Sequence, residues 1–405
     1  MRSVEDHQSA VLGDAAPLAA RRVPLLDADG LVLAESVAAT WPLPSFDNSS
    51  MDGYAVRARD VSTASASAPV RLPVRGDLAA GQPAVDRLEP GTAVRIMTGA
   101  PVPEGADAVV PVEWTDAATD EVTISQAPDI GAHIRRRGED VEAGQVVLEP
   151  GTTINSRVVA MLAAVGLATI PVHRRPRVTV ISTGDELVDP GVDPGPGQIV
   201  DSNSYMLAAA VREAGAEAVR VGPVPDDEAV LERVLREEAA RSDLLLTSGG
   251  VSMGAYDTVK AVLTRTGGVD FVKVAMQPGM PQGAGRVDGT PIVTLPGNPV
   301  SSYVSFEVFV RPLIRRLLGH AEIGRPRLHA VCAREFTSPA TKTQFARVRL
   351  RSHDGLLYAE PEGGQGSHII GGLSRADGLA VVPVGVDVVQ VSEELVVWDL
   401  RGGAT

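Results

Sequence analysis

Three short polar stretches hold most of the groups in this 405-residue chain that could do chemistry: Thr183-Gly184-Asp185-Glu186, Thr247-Ser248-Gly249-Gly250-Val251-Ser252-Met253-Gly254 and Pro296-Gly297-Asn298-Pro299-Val300-Ser301-Ser302. Each follows an apolar run that reads as a buried strand. Glycine lets backbone N–H groups approach a ligand closely, and a helix opening just beyond such a loop adds its positive end, so the combination favours an anion such as a phosphate. Ser252, Ser301 and Ser302 offer hydroxyls. Taken singly, residues 244–257 read equally well as a strand-to-helix turn that needs glycine for positive φ and binds nothing. Three such loops on one sheet edge shift that balance toward a shared site.

Glu186, Asp226 and Asp257 stand beside these loops, and their negative charge opposes a phosphate unless a cation bridges the two. Mg²⁺ is the natural bridge, because it takes a few carboxylates together with phosphate oxygens and water. For any one of these acids alone, helix capping is the competing role. Arg135-Arg136-Arg137 is either a solvated edge or a grip on a phosphate or carboxylate. The chain has no Walker loop, no G-x-G-x-x-G fingerprint, no Ser-His-Asp pattern and no histidine spacing suited to a metal. The residues alone therefore point to a multidomain enzyme that holds a bulky phosphorylated ligand with a divalent cation.

The elements that must position these loops follow from periodicity. Across residues 177–318 strand, loop and helix alternate: strands at 178–182, 218–221, 244–247, 271–276 and 291–295, helices at 204–214, 226–241, 256–266 and 299–318. That is the pattern of an open, mostly parallel sheet covered by helices on both faces, which binds ligands at the carboxyl ends of its strands. Asn298 and Pro299 are placed as cap and first residue of the last helix. Residues 54–134 read as short alternating strands, and 325–400 as a small β-barrel or sandwich. Helical spacing is expected over 4–22, around 31–37 and across 144–170. Between them, residues 41–56 form a proline-bearing irregular loop whose Phe46, Met51 and Tyr54 argue against disorder. Thr98 ends a strand in this region, a place where threonine commonly just caps a turn. Residues 363–369 form a glycine-rich loop, either a surface turn or a ligand contact. The expected division is a segmented helical domain (1–45 and 140–172), an inserted all-β domain (46–139), an α/β domain (173–320) and a C-terminal β-barrel (321–405).

A formal charge of −14 disfavours nucleic acid and anionic membranes as partners, so an anionic ligand must be held locally. The single cysteine, Cys332, excludes an internal disulfide. With neither a membrane-length apolar run nor a secretion signal at the start of the chain, the expected location is cytoplasmic.

PSFDNSSMDGYAV, IMTGAPVPEGADAVV, IRRRGEDVEAG, STGDEL, SGGVSMGAYD and LPGNPVSSYVSFEVFVRP, in that order and over nearly the whole chain, resemble the molybdopterin molybdenumtransferase family, which includes bacterial MoeA and the E domain of gephyrin. The resemblance implies insertion of molybdate into adenylylated molybdopterin with Mg²⁺ and release of AMP. It also implies an elongated homodimer, with the α/β section binding the pterin, and leaves room for contacts with other proteins of molybdenum cofactor biosynthesis. By position in the motifs, Asp52, Thr98, Glu186, Asp257 and Lys273 are expected to be catalytic, and Asp226, Asp257 and Glu186 to hold the cation. Arg135, Gly184, Asp185, Ser248, Gly249, Gly250, Ser252, Pro296, Gly297, Asn298 and Ser301 are expected to bind substrate. Asp52 and Thr98 fall in another domain from the α/β loops, which makes a site shared between subunits the expectation.

One departure stands out. Where the family often carries KPGKP, this chain reads Gln277-Pro278-Gly279-Met280-Pro281. Two missing cations weaken oxyanion binding by Coulomb's law. Either another cation compensates, or the oxyanion differs, as tungstate would, or the chain is a weakened paralogue, at the extreme a scaffold or binding protein that keeps the fold.

Overall fold

The computed structural model describes residues 1–402 except 84–86, 250, 252–257 and 267. It divides into two compact units, one made of residues 1–34, 150–155 and 170–405, the other of 35–149 and 156–169.

The larger unit is built on a six-stranded sheet in the order Glu217–Val224, Arg177–Thr183, Leu244–Ser248, Thr290–Leu295, Pro281–Val287, Val269–Lys273. The first four strands are parallel, as the alternating pattern predicts. The last two form an antiparallel edge, and the Pro281–Val287 strand is an addition to the sequence reading. Two glycines break its apolar alternation, and the fold needs both: a Cβ at Gly285 would lie 1.8 Å from the Gly268 carbonyl oxygen, and one at Gly283 2.2 Å from Thr294 Oγ1.

Leu244, Leu245 and Leu246 are all fully buried because the sheet is covered on both faces. Leu244 and Leu246 face Leu207, Val211, Phe306, Val310 and Leu313, whereas Leu245 faces Leu231, Leu235, Val259 and Val262. The long helix expected over 299–318 is present as Pro299–Ser305, a π-helical turn Phe306–Val310, and Arg311–Leu317. Pro312, without an N–H, cannot make an ordinary helical bond, and the wider turn just before it accommodates that loss.

The C-terminal strands Arg327–Cys332, Thr343–His353, Leu356–Pro361, Gly378–Val382 and Glu394–Asp399 close on themselves into a five-stranded barrel, as the alternation from 325 to 400 predicts. Near the start of the chain the helical reading is corrected. Helix stops at Leu12, where Gly13 takes φ 41°, and Ala20–Pro24 is a strand. Around residues 31–37 there is no helix: Val32 bridges Thr153 and Leu33 bridges Val172. Leu31, Val32 and Leu33 are buried in succession, which extended backbone permits and a surface helix does not.

In the smaller unit a five-stranded sheet runs Ala108–Pro111, Gly53–Val56, Ala93–Ile96, Val70–Leu78, Glu121–Ile124, in line with the short alternating strands expected over 54–134. Tyr54 and Val56 pack into one core and Ala55 into another, so this strand is buried on both faces. Within 144–170, helix is confined to Ser156–Ala164. No helix among the described residues is long and apolar enough to cross a membrane.

Candidate functional site

Register brings the expected loops to one edge. Ser182 pairs with Ser248, and Ser248 with Leu295, so the loops opening at Thr183, Gly249 and Pro296 start side by side. Lys273 reaches the same edge by a different route: its strand is antiparallel to one that is itself antiparallel to Thr290–Leu295, so its carboxyl end points the same way. Since Phe271 opposes Gly283 and Gly283 opposes Thr294, Lys273 lies level with Pro296.

Two of the glycines in these loops take backbone angles that side chains disfavour. Gly184 has φ 142°, and a Cβ on it would lie 2.3 Å from the Glu186 carboxylate, which folds back over it. Gly249, with φ 95°, donates its N–H to Leu295 O at 3.0 Å, and Gly297 lies beside it, with room for a Cβ in ordinary contact with Gly249. A small cleft of about 130 Å³ lies here, walled by Ser182, Thr183, Glu186, Ser248, Gly249, Gly297 and Pro299.

Asn203, at the first position of the Asn203–Glu213 helix, is the residue that sequence reasoning missed. Its Nδ2 donates to Ser248 Oγ at 2.9 Å and to Gly297 O at 2.6 Å, tying two of the three loops together. Its Oδ1 is buried without a partner, as are Ser182 Oγ and Ser302 Oγ. Asn203 and Ser182 line the cleft, so their unpaired atoms are open to a bond from a ligand or water. The signal was present as Asp201-Ser-Asn-Ser204 at a helix start, where it reads as ordinary capping.

The acids behave differently from the helix caps they resemble. Asp227, not Asp226, caps the Glu228–Ala239 helix by accepting from Val230 N at 2.9 Å. Asp226 is thereby released from capping, and its own N–H donates to Asp185 Oδ1 at 3.2 Å. The carboxylates of Glu186 and Asp226 and the ammonium of Lys273 are exposed, and no hydrogen bond or ion pair holds them among the described residues. Gly250, Ser252 and Asp257 lie outside the described residues. Among those that are described, no three acidic, histidine or cysteine side chains cluster as a metal site.

Asn298 occupies the cap position of its helix, but its side chain does not cap it. Its Nδ2 donates to Ser367 Oγ at 3.0 Å, and Ser367 O accepts the Val300 N–H at 3.1 Å. The glycine-rich loop at 363–369 is therefore seated on this helix start and takes up one of its free donors. Buried Arg347 holds that loop by donating to the carbonyls of Gly364, Gly366 and Ile369. Ser301 is buried one turn into the helix. Beyond Lys273, Gln282 Nε2 donates to Gly279 O and Ser305 Oγ, both at 2.6 Å, and fixes the turn that carries Gln277 and Met280.

In the smaller unit a second constellation forms. Asp52 Oδ1 accepts from Thr98 N at 2.7 Å and from Thr98 Oγ1 at 2.8 Å. These two donors, the backbone one foremost, hold the Asp52 carboxyl below the usual carboxylate range, so it is ionised at neutral pH. The loop at 45–52 is pinned to the 97–100 turn through Ser49, whose N–H and O bond Ala100 and Gly99. Gly53 is required next to Asp52, because a Cβ there would lie 1.9 Å from Val110 O. Of the three arginines, Arg136 and Arg137 are used locally, on Asp47 and on Ser45 O. Arg135 pairs by backbone with Asn48 and leaves its exposed guanidinium without a partner among the described residues.

Comparison with known proteins agrees over the same stretches. Residues 2–166 match the MoeA N-terminal region (domain I and II), 179–316 the probable molybdopterin binding domain, and 329–400 the MoeA C-terminal region (domain IV). Molybdopterin molybdenumtransferase 2 of Mycobacterium tuberculosis (strain H37Rv) is 52% identical over 99% of this chain and 100% of its own length. Molybdopterin molybdenumtransferase 1 of the same strain is 40% identical over 97% of each. The crystal structure of the molybdopterin biosynthesis MoeA protein from Pyrococcus horikoshii superposes with a TM-score of 0.86 at 32% identity, covering 99% of both chains.

Proposed function

The chain belongs to the MoeA family, the molybdopterin molybdenumtransferases of molybdenum cofactor biosynthesis, and on that premise we propose that it inserts molybdate into adenylylated molybdopterin with release of AMP. The observation that carries this reading is the row of loops starting level at Ser182, Ser248 and Leu295, with Glu186, Asp226 and Lys273 exposed beside them and unpaired among the described residues. Charged groups with no internal partner at a strand carboxyl edge are ready for a ligand that carries both phosphate and cation.

In this assignment the backbone at Gly184, Gly249 and Gly297 and the hydroxyls of Ser248 and Ser301 bind the pterin phosphate. Asp185 positions the Asp226 loop, and Asn203 and Asn298 fix the loops they bridge. Gly250 and Ser252 extend the same wall in sequence, and Pro296 begins the last loop. Lys273 and Arg135 attract the oxyanion. Asp52, held as a carboxylate by Thr98, serves as a proton acceptor or as an orienting group rather than as an acid. Glu186, Asp226 and Asp257 provide hard oxygen donors with no sulfur or imidazole among them, a set that fits Mg²⁺. Bound there, Mg²⁺ would neutralise pyrophosphate charge as AMP departs. Gln277 and Met280 supply no cation, which makes Lys273 and Arg135 the principal positive groups for molybdate.

The four-part domain division and a homodimer belong to the same proposal. The experiment is AMP release from adenylylated molybdopterin with Mg²⁺ and molybdate. Asp52→Asn and Asp257→Ala should each lower it by about 10²-fold or more, the range of one general base or one electrostatic donor. Mixing the two inactive chains tests sharing: recovered activity means that Asp52 and Asp257 act from different subunits. Wild-type chain that releases no AMP, or variants that match it, would overturn the reading, and tungstate in place of molybdate tests the choice of oxyanion.

A further inference from the structure

We propose that the opposite, amino-terminal edge of the six-stranded sheet carries a second anion site, one that takes an oligophosphate of pyrophosphate size. Arg177 and Glu217 open adjacent parallel strands, and Asp243 immediately precedes a third, so this edge lies at the far end of the strands from the loops assigned to the pterin. A cavity of about 480 Å³ opens there. It is lined by five arginines, Arg21, Arg174, Arg175, Arg177 and Arg241, against only two carboxylates, Glu217 and Asp243.

In a chain whose net charge is −14, this is a local reversal of sign. Lysine or histidine crowded in this way could shed a proton, but a guanidinium cannot, so the repulsion persists until an anion offsets it. The internal partners are already used. Arg174 forks onto Asp243 at 2.7 and 2.6 Å, and Asp243 also accepts the Arg177 N–H at 2.8 Å. Arg175 donates to the Gly215 carbonyl at 2.9 Å. Arg241 sits past the carboxyl end of the Glu228–Ala239 helix, where a cation is favoured in any case, and reaches Glu238 only at 4.0 Å.

That leaves Arg21 and Arg177. Among the described residues neither guanidinium has a hydrogen bond or an ion pair, and Arg177 Nε is buried with nothing to donate to. A buried, unmatched guanidinium donor facing a basic cavity is the group that an oligophosphate oxygen satisfies, by a charge-assisted bond. The requirement for more than one negative charge follows from the excess of arginines over carboxylates. Asp243 fixes Arg174 in place, so that arginine is preorganised at the wall of the cavity.

Titration calorimetry of the full chain with inorganic pyrophosphate at low ionic strength tests this. Saturable binding is expected, weakened at least tenfold in Arg21→Ala and further in Arg21→Ala/Arg177→Gln. Arg21 is exposed, so its replacement leaves the fold intact, and an unchanged thermal midpoint verifies that. Lys273→Ala, which removes a cation from the edge assigned to the pterin, should leave this binding unaltered. Loss of pyrophosphate binding in Lys273→Ala would assign it to the other edge and overturn the proposal. So would absence of binding, binding indifferent to Arg21→Ala, or preference for a polyglutamate peptide over pyrophosphate.

Discussion

Two groups of charged residues in the larger unit are handled in opposite ways. Around the π-helical turn, Glu307 is buried and takes a two-pronged bond from buried Arg325, at 2.8 Å to each oxygen. Arg325 spends its remaining donors on Glu213 and on the Gly402 carbonyl, and Arg311 approaches Glu307 at 4.0 Å. At the carboxyl edge of the sheet, Glu186, Asp226 and Lys273 lie exposed, and nothing described in the chain holds them. In the first arrangement the Glu307 carboxylate and the Arg325 guanidinium are matched within the chain and fix the helix to the segment leading into the barrel, while Arg311 Nε and Nη1 are buried without a hydrogen-bond partner. The second is incomplete, and its missing counter-charges are what a phosphorylated ligand and its cation bring. For the carboxylates, pairing thus separates charge used for folding, as at Glu307, from charge kept for binding, as at Glu186 and Asp226.

The sharpest way to break this contrast is Glu307→Ala. It leaves buried Arg311 with no carboxylate and Arg325 with Glu213 alone, which costs roughly 3 kcal/mol, the low end for breaking a buried pair. Thermal denaturation should show a fall of several degrees in the transition midpoint. Asp226→Ala, at the open edge, should leave that midpoint nearly unchanged while abolishing the proposed cation binding. If both substitutions destabilised equally, the distinction would collapse.

A second, smaller effect concerns a group that the interior keeps uncharged. His7 packs edge-on against Phe309 with ring centroids 4.7 Å apart, and both of its nitrogens are buried without partners. Burial, helped by nearby Arg2, lowers its pKa to about 4 from an ordinary 6.5. The unfolded chain therefore binds a proton between those values that the folded chain refuses. Stability from this group is full above 6.5 and falls as the pH drops toward 4, by a total on the order of 3 kcal/mol. His320, lowered to about 4 by burial and then by Arg315, loses stability over the same window. Denaturant midpoints followed from pH 7 to pH 4 should decline in the wild type and decline less steeply in His7→Leu. A slope identical in the two proteins would remove His7 from the account.

How much of this was legible in the sequence depends on the range of the interaction. The parallel strands could be read because sheets covered on both faces demand unbroken apolar runs, as in Leu244-Leu245-Leu246. The Pro281–Val287 strand could not, because its glycines are needed by close approach to Gly268 and Thr294, which local pattern does not record. Residues 31–33 misled for the reciprocal reason. Their apolar character satisfies either period, and only the distant partners Thr153 and Val172 choose extended backbone. In the site, Glu186 and Asp226 were visible as acids beside glycine-rich loops. That Asp227 does the capping, and so frees its neighbour, was invisible until the helix boundary was fixed. Asn203 was hidden because its partners, Ser248 and Gly297, lie 45 and 94 residues away.

Asn203 also supplies the mildest test of the contrast, since its side chain ties two of the loops at an edge whose charged groups are open. Its two donated bonds hold Ser248 and Gly297 in a fixed relation. Nothing in the fold requires that relation, because the flanking strands are already paired. Asn203→Leu keeps the volume and removes the bonds, so it should lower the thermal midpoint by no more than a few degrees. The loss of two hydrogen bonds, each worth about 1 kcal/mol net, should instead emerge as looser ligand organisation, a rise of roughly tenfold in KM for the adenylylated pterin. A fall in stability with KM unaltered would place Asn203 with Glu307, among the groups that serve the fold. The reverse result would show that even the paired polar atoms at this edge are arranged for the ligand.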